Sequence, residues 1–321
     1  MPDPTWGVVA TVKAPTRDIL NFAAHHLELG AHRVHIYLDA DDRPARDALI
    51  AHPRCRVTLC TDDYWSRRWK KGRPDGHQFR QTLNASHCYR RTDVDWLGHI
   101  DVDEFLWPTR QPITDQLAAL GGNVFSARVR PIEALAPDPA DPPPAGVRWF
   151  KGCSRVQTER QAQAAEAYPT FGPHLNGGFM SHVVGKVFVR TGEKQVSLRI
   201  HNVYVDGEKD RTSTELTETP LCHFHAADWD HWYGAYRYRL AHGSYREGLK
   251  PAPSPQGGGL NMHALMQMIE AEGGEPALRA FFHEVCTARP DLRRILDRQG
   301  HLHRIALDLD EKREKHFPHL G

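Results

Sequence analysis

Over its first hundred residues the chain alternates short apolar runs with longer stretches whose apolar side chains recur near helical spacing. Residues 7–13 (Gly7-Val8-Val9-Ala10-Thr11-Val12-Lys13) are almost continuously apolar, the pattern of a buried strand. Thr16 is placed to cap a helix that runs to Leu29 and stops at Gly30, with Ile19, Phe22, Ala23, His26 and Leu27 on one side. Residues 34–38 read as a second strand ending at Asp39-Ala40-Asp41-Asp42, 44–52 as a short helix, 56–60 as a third strand and 76–91 as a helix. A further strand then runs into Asp101. Such alternation predicts an α/β fold, a mostly parallel sheet with helices on both faces. Ligands of such sheets bind beyond the carboxyl ends of the strands. Lys13, Asp39, Asp41, Asp101 and Asp103 all fall at predicted strand ends, so they are expected to converge on one site.

After Pro108 the pattern is less regular. Residues 136–144 are proline-dense and read as an extended surface loop. Residues 183–190 and 195–204 look like a hairpin around Thr191-Gly192-Glu193. Residues 254–259 read as a flexible linker, and the chain from Leu260 as largely helical. Three stretches follow: 1–120, 121–250 and a helical C-terminal extension, 260–321.

The densest chemistry lies in Trp96-Leu97-Gly98-His99-Ile100-Asp101-Val102-Asp103-Glu104-Phe105-Leu106-Trp107-Pro108. Read as a strand, this segment points Asp101 and Asp103 the same way, with Val102 opposite. Two carboxylates on one side repel unless a cation sits between them, and oxygen ligands suit Mg²⁺ or Mn²⁺. Such an ion holds a diphosphate and neutralises charge developing on it. An isolated Asp-x-Asp is more often a solvated turn. The apolar flanks here put the pair at the edge of a core.

Composition narrows the classes. The chain has 321 residues, 40% hydrophobic and 25% charged, with a net charge of +1, so no global field argues for nucleic acid or an anionic membrane. Six scattered cysteines, with no C-x-x-C pair, are neither a zinc pattern nor a disulfide framework and read as reduced residues of a cytoplasmic protein. No apolar stretch approaches a membrane span, and the N-terminus carries no signal-like segment; peripheral membrane contact stays open. The basic and aromatic stretch Trp65-Ser66-Arg67-Arg68-Trp69-Lys70-Lys71-Gly72-Arg73 is the best nucleic-acid feature, but it is short and reads as a solvated or ligand-side loop.

Thr11-Val12-Lys13, then His25-His26-Leu27-Glu28-Leu29-Gly30, then Val34-His35-Ile36-Tyr37-Leu38-Asp39, resembles the opening of family 2-like glycosyltransferases. Trp96 through Leu106 matches the Trp-x-x-x-Ile-Asp-Val-Asp-Glu-Phe-Leu signature of one branch, related to family 92-type enzymes. The resemblance is good over residues 8–108 and thinner to about residue 245. It implies a GT-A (Rossmann-like) fold, with a donor-binding half in 1–120 and a less regular acceptor side in 121–250. It also implies a nucleotide-sugar donor held through Mn²⁺ or Mg²⁺, and a glycan or other hydroxyl acceptor. Carried over, Asp103 would be the principal metal ligand. Asp101 would lie near the donor ribose or bind metal through water. Asp39 would sit near the nucleoside. The family's usual Lys-Asn-Glu after the first strand is Lys13-Ala14-Pro15 here, which leaves the nucleotide open.

The resemblance also places a histidine in Leu221-Cys222-His223-Phe224-His225, where alternation puts both rings on one face; His225, then His223, is the candidate third metal ligand. Bland alternatives are core-edge histidines. Lys186 and His201 match a family lysine and histidine, and Lys186 would meet donor phosphates as a point charge. Trp229, Trp232, Tyr233, Tyr236 and Tyr238 predict a packed helix, a minority of which would line an acceptor cleft. Inverting transfer needs one carboxylate base near the acceptor hydroxyl, for which Asp228 and Glu133 are candidates. Two rivals remain: a metal-dependent phosphodiesterase or nucleotidyltransferase using the same carboxylates, and a non-catalytic carbohydrate-binding protein that keeps the fold.

Overall fold

β1 (Trp6–Val12) is buried along its whole length, as its unbroken apolar run requires. It belongs to a computed structural model that describes residues 2–248 and 260–318; the linker expected at 254–259 lies outside the described residues. The chain continues through α1 (Thr16–Glu28), β2 (Arg33–Leu38), α2 (Arg43–Ala51), β3 (Cys55–Leu59), α3 (Asp62–Arg68), α4 (His77–Tyr89), β4 (Trp96–His99), β5 (Glu104–Leu106), α5 (Ile113–Ala118) and β6 (Ser126–Val129). Next come β7 (Pro131–Ala134), β8 (Val147–Lys151), α6 (Gln157–Ala167), β9 (Lys186–Arg190), β10 (Val196–Leu198), β11 (Val203–Val205), β12 (Glu208–Lys209) and β13 (Thr214–Glu215). The remainder is β14 (Leu221–His223), α7 (Trp229–Ala241), α8 (Met262–Cys286), α9 (Pro290–Arg298), β15 (Leu302–Ala306) and α10 (Leu309–His316).

Two units share this chain. The first takes residues 1–130, 184–221 and 308–321, and the second 131–183 and 222–307. Residues 260–321 are therefore divided between the units, and they include the strand β15 as well as helices.

The first unit is an α/β unit built on a seven-stranded sheet in the order β13-β6-β9-β4-β1-β2-β3. β1 is parallel to both β2 and β4, and β2 is parallel to β3. Only β9 runs against its neighbours β4 and β6. A small antiparallel sheet, β10-β11-β12, belongs to the same unit. Val9, Tyr37, Trp65, Ala85, Leu97 and Val189 pack in one of its core clusters. In the second unit β8 is antiparallel to β7 and β15, and Trp232, Tyr236, Leu265, Phe281 and Leu292 anchor a core of their own.

Four local expectations are corrected. Thr16 is not the cap of α1; Pro15 holds that position, and the Thr16 hydroxyl donates instead to Asp42 at 2.8 Å. Asp42 in turn caps α2 by accepting the Ala45 N–H at 2.9 Å. The hairpin of 183–190 with 195–204 does not form. β9 is buried over Lys186–Val189, so it needs neighbours on both edges and finds them in β4 and β6, while β10 pairs with β11. The helix α3, within residues read as a loop, is capped by Thr61, whose hydroxyl oxygen accepts the Tyr64 N–H at 3.1 Å. The strand into Asp101 ends earlier, at His99. Among the described residues no helix is long and apolar enough to cross a membrane.

Two fully buried histidines on α1 tie stability to pH. His25 Nε2–H donates to the Leu106 carbonyl at 2.7 Å, and His26 Nδ1–H to the Phe22 carbonyl at 2.8 Å. Burial, with His26 and Lys312 adding to it, holds the His25 pKa well below its ordinary value; burial, opposed by the bond to the Phe22 carbonyl and reinforced by Lys312, brings His26 down to about 4. Both rings are neutral when folded but take protons when unfolded. Stability is therefore full above the unfolded pKa of about 6.5 and is lost as pH falls from there toward the folded values. The urea midpoint is expected to fall between pH 7 and pH 5, each ring contributing a slope approaching about 1.4 kcal/mol per pH unit. His26→Phe should make that fall shallower, and an unchanged slope would refute the assignment.

Candidate functional site

Strand order reverses at the β1–β4 pair. β2 and β3 lie on one side of β1, whereas the chain returns to the other side to form β4. This is the switch point of an open parallel sheet, where the carboxyl ends of adjacent strands leave room for a ligand. Lys13 follows β1 and is exposed, and Asp101 and Asp103 follow β4.

The acidic residues sit in a turn rather than on a strand, so strand alternation is not what orients them. The Glu104 N–H donates to the Asp101 carbonyl at 3.1 Å, and the Asp101 N–H donates to Glu104 Oε2 at 2.8 Å. Asp103, half-buried, lies inside this doubly closed loop. Asp101 Oδ1 accepts from Gln81 Nε2 on α4 at 2.5 Å, and Oδ2 from Lys186 Nζ at 2.5 Å. Lys186 also lies 3.4 Å from Glu104.

Lys186 arrives here because β9 is antiparallel to β4. Its first residue is therefore beside the last of β4, with Val187 facing His99. Gly185 makes the approach possible: it has φ +81°, and a Cβ there would lie 2.0 Å from the Val129 carbonyl oxygen. The Lys186 side chain is 0% exposed. Burial opposes its charge, but Asp101 and then Glu104 outweigh burial and raise its pKa; Asp103 contributes least. Burial likewise opposes the Asp101 carboxylate, and Lys186 holds it well below the usual range. As folded, the lysine is a buried counter-ion of the turn, and a donor phosphate would reach it only by opening that pair.

Asp39 is similarly committed. Its side chain is 1% exposed and is held by Arg80 at 2.7 Å and Arg73 at 3.1 Å. Asp41 is exposed and paired with Arg46 at 2.9 Å. The two arginines on Asp39 and the placement of Lys186 could not be read from spacing. Gln81, through its hydrogen bond, positions Asp101.

His223, His225, Glu133 and Asp228 belong to the second unit. The His223 and His225 rings are 5.3 Å apart, and His182 is 5.7 Å from His223. His225 Nε2 is 2.8 Å from the Tyr245 hydroxyl, which also accepts Trp232 Nε1–H at 3.0 Å. The Tyr245 hydroxyl thus occupies Nε2 of His225. Burial, reinforced by Arg239, keeps His225 neutral.

Glu133 is 1% exposed on β7 and accepts from the N–H groups of Met180 at 3.0 Å and Ser181 at 2.7 Å and from the Ser181 hydroxyl at 2.6 Å. Lys151 stands 3.5 Å away. Burial would raise its pKa, but Lys151 and Ser181 outweigh it and hold the carboxylate below its ordinary value. Asp228 is exposed and caps α7, accepting the His231 N–H at 2.7 Å. Each candidate base thus has a structural task. On α7, Trp232 and Tyr236 are core residues, whereas Tyr238 is exposed.

No protein-family model and no curated protein matches the chain. HddC from Yersinia pseudotuberculosis is similar in structure at a TM-score of 0.35 and 7% identity, over 73% of this chain and 99% of that one. Mouse xyloside xylosyltransferase 1 in its apo form is similar at a TM-score of 0.29 and 12% identity, over 59% and 67%. At these scores neither likeness bears on function.

Removing Lys186 strands two carboxylates. Lys186→Met should destabilise the protein by about 3–5 kcal/mol in equilibrium unfolding at neutral pH. A loss below about 1 kcal/mol would show that the pair is not a structural element of the turn.

Proposed function

We propose that the chain is a metal-dependent glycosyltransferase that takes a sugar from a nucleotide-diphosphate donor to a hydroxyl acceptor. The observation that carries the reading is an acidic turn at the switch point of a mostly parallel sheet, inside the motif on which the family resemblance rests. Nucleotide ligands of such sheets lie at this place.

The donor set suits the ion. Asp103 is the carboxylate of the turn that Lys186 balances least, and it is not fully buried. Asp101 has both oxygens in hydrogen bonds but keeps a quarter of its side chain exposed, in keeping with a contact through water. Mn²⁺ or Mg²⁺ would be held at Asp103, with Asp101 beside it, and would supply charge stabilisation for the leaving diphosphate. Around it this chain's residues orient and balance. Gln81 and Lys186 fix Asp101, and Lys13, exposed at the end of β1, offers a cation to phosphate.

A second reading has one observation in its favour. Both candidate bases, Glu133 and Asp228, are engaged in holding the backbone, which suits a protein that binds the donor without turning it over. Product analysis separates the readings. Nucleoside diphosphate plus glycoside supports transfer, metal-dependent binding without turnover supports the binding protein, and a nucleoside monophosphate or pyrophosphate supports phosphodiester or nucleotidyl chemistry.

Thermal melting against a panel of nucleoside diphosphates should give an upward shift for one nucleotide, only with Mn²⁺. Asp103→Asn should abolish that shift while leaving the ligand-free melting temperature unchanged to within a few degrees. A retained, metal-dependent shift in this variant would sink the assignment.

A further inference from the structure

None of the residues of α10 is fully buried, and polar contacts hold this helix on α1. Arg17 donates to Asp310 at 2.8 Å, Arg313 donates to Asn21 at 2.7 Å, and Glu28 takes Lys315 at 2.8 Å and His316 at 2.9 Å. One contact is of another kind. The half-buried Lys312 turns its ammonium toward the fully buried ring of His25, with Nζ 3.4 Å from Nδ1. That placement is unfavourable by itself. Burial lowers the Lys312 pKa, and Asp308, Glu28 and Glu311 only partly offset it.

The two neighbours of the His25 ring fix its proton. The Leu106 carbonyl, 2.7 Å from Nε2, can only accept, so Nε2 carries the hydrogen. An ammonium can only donate, so Nδ1 offers its lone pair to Lys312. Each side demands the same tautomer. The neutral ring therefore links an ammonium on α10 to a carbonyl on β5. A cation donating to Nδ1 draws electron density from the ring and makes Nε2–H the stronger donor. The bond to Leu106 is at the short end of the range for an N–H to a carbonyl.

Leu106 ends the strand that closes the acidic turn. Glu104, the first residue of β5, makes both closing bonds to Asp101. Phe105 is buried, edge-on to the His25 ring at 5.3 Å and parallel to the His26 ring at 6.3 Å. α1 thus holds the two residues after Glu104, one by its ring and one by its carbonyl. Beyond them the Trp107 N–H donates to the Pro220 carbonyl at 2.9 Å, so the segment has little slack in which to absorb a shift at Leu106.

We propose that Lys312 and His25 are positioning residues of the acidic turn. α10, docked on α1, fixes Leu106 through the imidazole and so sets the place of Glu104, and with it that of Asp101 and Asp103. On the metal-dependent reading above, the turn's affinity for Mn²⁺ then depends on a helix that supplies none of its ligands.

The test uses the full chain. Lys312→Met removes the ammonium, keeps an apolar stem and should melt within a few degrees of wild type. Hydrogen exchange of residues 101–104 without metal, read by mass spectrometry, should become roughly tenfold faster in this variant, the worth of one hydrogen bond. His25→Leu, which has no donor for Leu106, should show at least the same effect. His25→Gln carries an amide N–H near the place of Nε2 and should restore most of the protection. Calorimetric titration with Mn²⁺ should show Lys312→Met binding about tenfold more weakly than wild type, the scale on which outer groups orient metal ligands. Wild-type exchange at 101–104 in Lys312→Met overturns the proposal. So does faster exchange spread evenly over the sheet, which marks a plain loss of stability. Equal Mn²⁺ affinity in wild type and Lys312→Met, despite faster exchange of the turn, overturns the link to the metal. A wild-type chain that takes no Mn²⁺ sinks the metal-dependent reading instead, and the exchange rates still decide whether Lys312 and His25 position the turn.

Discussion

The first unit's acidic turn depends on one buried ammonium. Three acidic residues fall within four positions at the end of β4, and a turn that gathers them is unfavourable until positive charge is supplied from elsewhere. Lys186 supplies it from residues far along the chain, delivered by the single antiparallel strand of the sheet. Antiparallel pairing has a geometric consequence that a parallel strand would lack. It brings the beginning of β9 to the carboxyl end of β4, where the carboxylates are. Gly185 allows the close approach to Val129, Gln81 holds the other oxygen of Asp101, and Glu104 closes the turn. The ion pair, the strand direction and the turn are one arrangement.

The regular part of this unit was legible because it is local. Runs such as Val8-Val9-Ala10 and Val34-His35-Ile36 carry their burial in their composition, and strands joined by short helices leave little choice but a parallel sheet. The positions of Lys13, Asp39 and Asp101 at strand ends were legible for the same reason. What failed was long-range. Residues 183–204 were read as a hairpin because Thr191-Gly192-Glu193 is a good turn, yet Val187, Phe188 and Val189 are all buried, which a two-stranded ribbon cannot provide. The turn at 101–103 was read as strand because apolar residues flank it on both sides. The helix α3 did leave a local signal, Thr61 followed by Asp62 and Asp63, a cap with acids in the first turn.

Site residues divide along the same line. Sequence identified which carboxylates and imidazoles stand near strand ends, but not what they hold. Asp39 is locked by Arg80 and Arg73, Glu133 by Ser181, Met180 and Lys151, and Asp228 by the first turn of α7. Each reads as chemistry-bearing from its residue type and is spent on structure in the fold. A buried carboxylate is tolerated only with such partners, so burial and availability for proton transfer trade against each other. His225 obeys the same rule, since the Tyr245 hydroxyl occupies its Nε2.

Asp39 and Asp101 show how the choice of counter-ion sets what a carboxylate can still do. Two guanidiniums surround Asp39, permanently charged and able to fork, and its side chain is almost wholly enclosed. Asp101 faces one ammonium and one amide, and it keeps solvent access. On the proposed reading, an ion drawn to Asp103 would approach a carboxylate already half-answered by Lys186. Lysine and ion would then compete for the same charge, and the strength of the Lys186 pair would set how tightly the turn holds its metal. A stronger pair makes a sturdier turn and a weaker metal site. One buried lysine is shared among three carboxylates, and Asp103 is the one that contributes least to holding its charge.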